Sequence, residues 1–127
     1  MLKENVIQFL QNNSIAYIAT SSEDIPTVRV MQILSIEENE IIFNTKQFKQ
    51  SYKDLCKNKN IEICFYNHNS YEQIRVYGKV EEINDINFKK KIVKDYPQLQ
   101  SLVYEEGIEI IKPFKIKNWK YKTTTRH

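Results

Sequence analysis

Between Thr45 and Lys53 the chain sets hydroxyls, amides and cations close together, in the order Thr-Lys-Gln-Phe-Lys-Gln-Ser-Tyr-Lys. The spacing of Phe48, Tyr52, Leu55 and Cys56 predicts a helix over 47–58, with those four on an apolar face and Lys49, Lys53 and Lys57 on another. Lys46 and Lys49 then sit beside the helix start, where the dipole disfavours cations by about 0.3–1 kcal/mol each. Their placement makes sense if an anion binds and offsets that repulsion. Thr45 and Ser51 add hydroxyls and the first-turn amides are free donors, so phosphate is the expected anion. Composition favours a plainer reading of the same lysines, a solvated face in a chain with 19 Lys and Arg.

Arg29 is the second candidate. It stands among Val28, Val30, Met31, Ile33 and Leu34, and an arginine in so apolar a stretch needs a partner or an exit to solvent. If its strand pairs with the next one, Arg29 lies at the end where the lysine helix begins. Its planar fork could there meet the same phosphate. A plain surface arginine on a half-exposed strand fits the spacing equally well.

The elements that must position these groups are short. Leu2 to Asn12 reads as an amphipathic helix. Ile15–Thr20, Thr27–Ile36 and Ile41–Thr45 read as strands, the first buried on both faces, the last two forming a hairpin about the acidic turn Glu37 to Glu40. Ile61–Asn67 and Glu72–Ile83 alternate strictly, and Gly78 within the second predicts a bend at a barrel corner. Asp85 is the expected N-cap of a surface helix over 85–95. A short helix follows between Pro97 and Gly107, then one last strand over Ile108–Lys122 with Pro113 at an edge or bulge. Short antiparallel strands escape exposed edges by closing on themselves. The expectation is a mainly β domain with flanking helices, a six-stranded antiparallel split barrel spanning residues 1–127.

Several functions are excluded. Gly78 and Gly107 stand alone, so there is no glycine-rich phosphate loop. Two Cys and two His, without CxxC or HExxH, make a metal site unexpected. The opening MLKENVIQFLQNN is too polar for a secretory signal and no apolar run approaches a membrane span, which points to the cytoplasm and reduced cysteines. A net charge of +3 does not by itself indicate nucleic acid. Cys56 reads as core, Cys64 as outward-facing without a base, His68 and His127 as solvated, and Lys89–Lys91 as a solvated helix face.

The joint spacing resembles the flavin-binding split-barrel family named after pyridoxamine 5′-phosphate oxidase. Arg29-Val30-Met31-Gln32-Ile33-Leu34 matches a family strand. Phe43-Asn44-Thr45 follows with Thr45 sixteen residues after Arg29, then the basic, hydroxyl-bearing helix start from Lys49 to Lys53 and an end at Asn58. Gln73 opens a strand twenty-eight residues after Thr45, with Gly78 five further on. The match needs no gap and covers residues 1–84; the remainder agrees in architecture. The resemblance implies FMN as cofactor, its phosphate met by Arg29, Thr45, Lys49, Ser51 and Lys53. It places Asn44 beside Thr45, backbone of Val30 and Met31 along the ring, and the Gln73 amide at the ring's polar edge. It implies a homodimer with flavin at the interface, each site borrowing a wall from the other chain, for which Trp119 and Tyr121 are candidates; ordinary packing of Trp119 is the plainer reading. An Arg-Lys pair of the oxidase is Gln50-Ser51 here, and a later lysine is Leu34, so pyridoxal phosphate synthesis is not implied.

The functional expectation is an FMN-dependent oxidoreductase of a small molecule, reduced by a nicotinamide nucleotide or a partner protein, with no catalytic acid or base and no metal. The alternatives are a flavin-, heme- or deazaflavin-binding module without turnover, and a small barrel that stacks nucleic acid on Tyr66, Tyr71 and Tyr77.

Overall fold

The structure is a computed structural model and describes residues 2–124. Period-two segments become strands and period-3.6 segments become helices. Helix α1 (Lys3–Asn12) precedes β1 (Ile15–Ser22), β2 (Ile25–Ile36), β3 (Glu40–Lys46), α2 (Gln50–Lys57), β4 (Asn60–Tyr66) and β5 (Gln73–Glu82). Then come α3 (Ile86–Asp95), α4 (Gln100–Glu106), β6 (Ile111–Lys117) and β7 (Lys120–Thr124), with 3-10 turns at Pro97–Leu99 and Ile108–Ile110.

The strands pair antiparallel in the order β4-β1-β2-β3-β6-β5, and β4 with β5 closes the ring. The six-stranded barrel read from the sequence is therefore present. The expected single final strand is divided: a 3-10 turn opens it, Asn118 turns the chain at φ 50°, and β7 returns along β5 outside the ring. Pro113 lies inside β6, buried, one residue before the β5 ladder begins at Phe114.

Inward side chains fill the barrel: Ile18, Ile33, Phe43, Ile63, Phe65, Val76, Phe114 and Ile116 are all essentially buried, with Phe43 and Phe114 stacked at 5.8 Å. Val6 and Leu10 of α1 and Leu55 of α2 complete this core. β1 is not buried on both faces. Ala16, Ile18 and Thr20 point in, while Ile15 is 62% exposed, because no described element covers it on the outer face of β1. Gly78 does mark the corner. β5 pairs with β7 up to Tyr77 and with β6 from Val80, and a Cβ at Gly78 would lie 2.8 Å from Ile116 Cγ2. Asp85 caps α3 by accepting from the amides of Asn87 and Phe88. Gly107, at φ 88°, ends α4.

Helices α3 and α4 pack on the barrel's outside through a second apolar cluster, in which Ile92, Ile110 and Ile111 meet Leu34, Phe88, Tyr96 and Leu99. Lys89 departs from the solvated face expected of residues 89–91. It is buried here and its ammonium lies 3.6 Å from Glu109.

One irregularity matters most. β2 pairs with β1 along residues 25–32, but with β3 only through Ile33, Ser35 and Ile36, across a register shift. Before Ile33 the two strands diverge. Because the Ile33 amide bonds back to Ser14, antiparallel alternation turns the N–H and C=O groups of Val28, Val30 and Gln32 towards this opening. The split leaves a strand edge without a ladder.

Candidate functional site

The opening between β2 and β3 is a cavity of about 700 Å³. One wall is the β2 edge from Thr27 to Gln32. Asn44, Thr45 and Lys46 of β3 form the floor, Lys49, Gln50 and Ser51 the end, and Ile92, Tyr96, Gln98 and Leu99 the far wall. Arg29, Val30, Met31, Asn44, Thr45, Lys49 and Ser51 are thus brought together as the sequence predicts.

Helix α2 presents its first turn to this space. Lys49 is its N-cap, in extended conformation, and makes no side-chain capping bond. The early amides of α2 are therefore donors without an intrahelical acceptor, at the positive end of the dipole. Behind them Thr45 Oγ1 and Ser51 Oγ share a hydrogen bond of 2.6 Å, both residues buried. Lys46 and Lys49 supply cations at the same end. Asn44 adds a buried Oδ1 with no hydrogen-bond partner among the described residues. An orphan buried acceptor costs free energy unless a ligand or water donates to it.

Arg29 lines the cavity, but its fork is already engaged. Nη1 donates to Thr20 Oγ1 at 2.7 Å and Nη2 lies 3.5 Å from Asp54 Oδ2. Asp54 also accepts from Thr20 Oγ1 (3.1 Å) and from Gln50 Nε2 (2.9 Å). The Gln50 amide, with Thr20 and Arg29 behind it, holds the Asp54 carboxyl below the usual carboxylate range, against the upward pull of burial. The partner that an arginine in an apolar strand needs is thus a protein carboxylate. Asp54 and Thr20 escape the sequence reading because their contacts join residues 25 and 34 apart in the chain. The wall from Ile92 to Leu99 escapes it too; its helical period signals packing, not which cavity it faces.

Two expected site residues lie elsewhere. Lys53 is exposed and does not line the cavity, which reaches only the first turn of α2. Gln73 starts β5, three strands from β2, where its Oε1 accepts from Cys64 Sγ at 3.2 Å. Trp119 is 3% exposed in its own barrel core, where Nε1 donates to the Glu37 carbonyl and Tyr121 packs at 6.1 Å. Its indole is committed within this chain.

The remaining candidates are also placed. Cys56 is exposed, not core, because α2 buries Ser51, Asp54 and Leu55 instead. Cys64 faces outward, half-buried, and burial pushes its thiol up. His68 is exposed, with its ring edge-on to Tyr66 at 4.8 Å, and His127 lies outside the described residues. Tyr66, Tyr71 and Tyr77 make no common stacking surface: Tyr66 meets His68, Tyr71 sits in a left-handed turn at φ 63°, and Tyr77 lies under Lys122. On the rear of α2, Tyr52 donates to Glu82 (3.2 Å) and Glu82 lies 3.7 Å from buried Lys112. Burial, the Cys56 thiol and the Glu82 charge all push the Tyr52 phenol up, so it stays protonated. Among the described residues no group of His, Cys, Asp and Glu could hold a metal ion. No helix among them is long and apolar enough to cross a membrane.

The family model of pyridoxamine 5′-phosphate oxidase matches residues 2–114. The chain belongs to this family. The match extends past the 1–84 segment that carries the resemblance in sequence and ends within β6, at Phe114. No match was found among the curated proteins. Several solved structures share the fold. A putative pyridoxamine 5′-phosphate oxidase from Listeria innocua superposes at TM-score 0.79 with 12% identity, covering 99% of this chain and 100% of that one. A nimC/nimA family protein from Clostridium acetobutylicum gives TM-score 0.75 and 19% identity, covering 98% and 86%. A protein named F420 reductase gives 0.69 and 15%, covering 91% and 94%. At these identities the agreement concerns the fold.

Proposed function

We propose that this chain binds FMN in the cleft between β2 and β3 and acts as a flavin-dependent oxidoreductase of a small molecule. The carrying observation is the end of the cleft. The uncapped first turn of α2, the Thr45–Ser51 hydroxyl pair and the cations Lys46 and Lys49 face one space, beside a strand edge without a ladder. That donor set suits a phosphate monoester. The unsatisfied Asn44 Oδ1 needs a donor, which the imide N–H or ribityl hydroxyls of a flavin carry. The free N–H and C=O groups of Val28, Val30 and Gln32 suit a polar, planar ligand laid along the strand.

Bound FMN supplies hydride or electron transfer. The chain's part is to hold and shield: Leu34 on β2 with Ile92 and Leu99 of the far wall exclude water, and Lys49 with the first-turn amides anchors the phosphate end. None of the residues lining the cleft is a His, Cys, Asp or Glu, so no acid–base step is assigned to it.

The working unit in this reading is a cytoplasmic homodimer. Ile15, Val28 and Val30 expose about 60% of their surface on one uncovered sheet face, where Val30 stands opposite Tyr17. Val28 and Val30 also line the cleft, so a second copy on this face would close it. Gln73 shares the face by register, two residues from Arg75, which stands opposite Cys64 as Cys64 stands opposite Tyr17. It would reach the ring across the interface, from the second copy, not within its own cleft.

A cleft lining without His, Cys, Asp or Glu equally suits a binding module without turnover, for flavin, deazaflavin or heme. The test has two steps. The purified protein, soaked in FMN and desalted, should keep a flavin absorption spectrum near one FMN per chain; a colourless protein overturns the reading. Steady-state NAD(P)H oxidation by that holo-protein supports the enzyme, and bound flavin without turnover supports the module.

A further inference from the structure

Asp54 has no place in the function proposed above. It is a carboxylate, 4% exposed, one side chain behind the wall of a cleft read as binding a dianion. Its own wall-lining contacts are Gln50 and Arg29, and both of them face the cleft. The Gln50 and Arg29 donors that reach Asp54 are thereby withheld, in part, from anything in the cavity. Arg29 spends one N–H of Nη1 on Thr20 and directs Nη2 at Asp54; its Nε and the other guanidinium protons remain.

We propose that Asp54 is a resident counter-ion that competes with the ligand phosphate for Arg29 and so sets cofactor affinity below what the cations alone would give. The inference rests on the phosphate end of the cleft being where the previous section puts it. Two physical requirements meet here. Without a ligand, a half-buried guanidinium in a strand needs a counter-charge, and Asp54 with Thr20 provides it. With a ligand, that same carboxylate repels the phosphate and divides the attention of Arg29. The compensation keeps the cofactor-free chain folded and holds the cofactor exchangeably.

Arg29 and Asp54 join β2 to α2, so the competition reaches the first turn of the helix as well. Gln50 donates to Asp54 from that turn, four residues earlier, so that Nε2 donor is spent on Asp54 and not on the cleft's anion. Lys46 and Lys49 have no such resident partner among the ion pairs of the described residues, which leaves them as the uncompensated cations.

The experiment compares FMN with riboflavin, which lacks the phosphate, by fluorescence titration of the full chain. Asp54→Asn keeps the shape and an acceptor oxygen while removing the charge. FMN should bind about tenfold more tightly, the order expected for one unit charge removed beside a partly screened dianion. Riboflavin affinity should not move. If Asp54→Asn weakens FMN, or changes both ligands in proportion, the carboxylate is a positioning or folding residue and the inference is wrong.

If Asp54→Asn does not fold, the pair Arg29→Gln with Asp54→Asn is compared with Arg29→Gln alone. The double variant should bind FMN more tightly, because the single one leaves Asp54 uncompensated; equal or weaker binding overturns the inference. Failure of wild-type protein to bind FMN at all would instead defeat the proposed function, so the two failures are distinct.

Discussion

Lys49→Ser should move stability and binding in opposite directions. Lys49 is the N-cap of α2, extended at φ −76° and ψ 146°, with no side chain bonded to the free amides. A cation there is unfavourable for the helix by about 0.3–1 kcal/mol. A serine at the same position can accept from an early amide, worth about 0.5–2 kcal/mol. The cofactor-free protein should therefore gain about 1–2 kcal/mol, or a few degrees in Tm for a chain of this size. Binding should suffer, because one cation is gone and the new hydroxyl occupies an amide that phosphate would use. The loss should be about 1–2 kcal/mol, or roughly five- to thirtyfold in the FMN dissociation constant. Riboflavin makes no phosphate contact and should change little. Differential scanning fluorimetry of the apo protein and fluorescence titration with each flavin read the three quantities. Stabilisation with unchanged FMN affinity would mean that this helix end is an ordinary uncapped terminus, and the phosphate assignment would fall.

Other outcomes follow from the packing. Gly78→Ala places a Cβ 2.8 Å from Ile116 Cγ2 in the closed core and should cost about 1–3 kcal/mol in urea unfolding. Asp24 turns the β1–β2 hairpin at φ 65°, so Asp24→Gly should leave flavin binding alone and stabilise by about 0.5 kcal/mol. The lowered Asp54 pKa adds stability that is fully present above the unfolded value near 3.8 and is lost as pH falls through the folded value. The stability advantage of wild type over Asp54→Asn should hold from neutrality to about pH 4 and shrink below it, measured by denaturant titration across pH.

The barrel was legible because its signals are local. Alternation wrote the strands, Asp85 and Gly107 marked helix ends, and Gly78 marked the corner where β5 changes partners. The cluster from Asn44 to Ser51 was legible for the same reason: its members lie within eight residues. The errors share a different cause. Apolar periodicity put Cys56 on the inner face of α2, yet the helix buries Ser51 and Asp54 because that face borders a polar site. Lys49 and Lys53 fall on one stripe, but the helix begins at Gln50, so only Lys49 meets the cleft. The pairing of Arg29 with Asp54 depends on how β1, β2 and α2 dock. The place of Gln73 depends on strand order around the ring. Neither can be read from spacing along the chain.

The central claim is one of location: a flavin phosphate held at the start of α2, with the rest of the molecule along the open edge of β2. An amide chemical-shift titration of the isotope-labelled protein with FMN tests this most directly. The largest perturbations should fall on Gln50, Ser51 and Tyr52 and on Val28, Val30 and Gln32, with riboflavin reproducing the second group and sparing the first. Perturbations confined to β4 and β7, or absent from the first turn of α2, would contradict it.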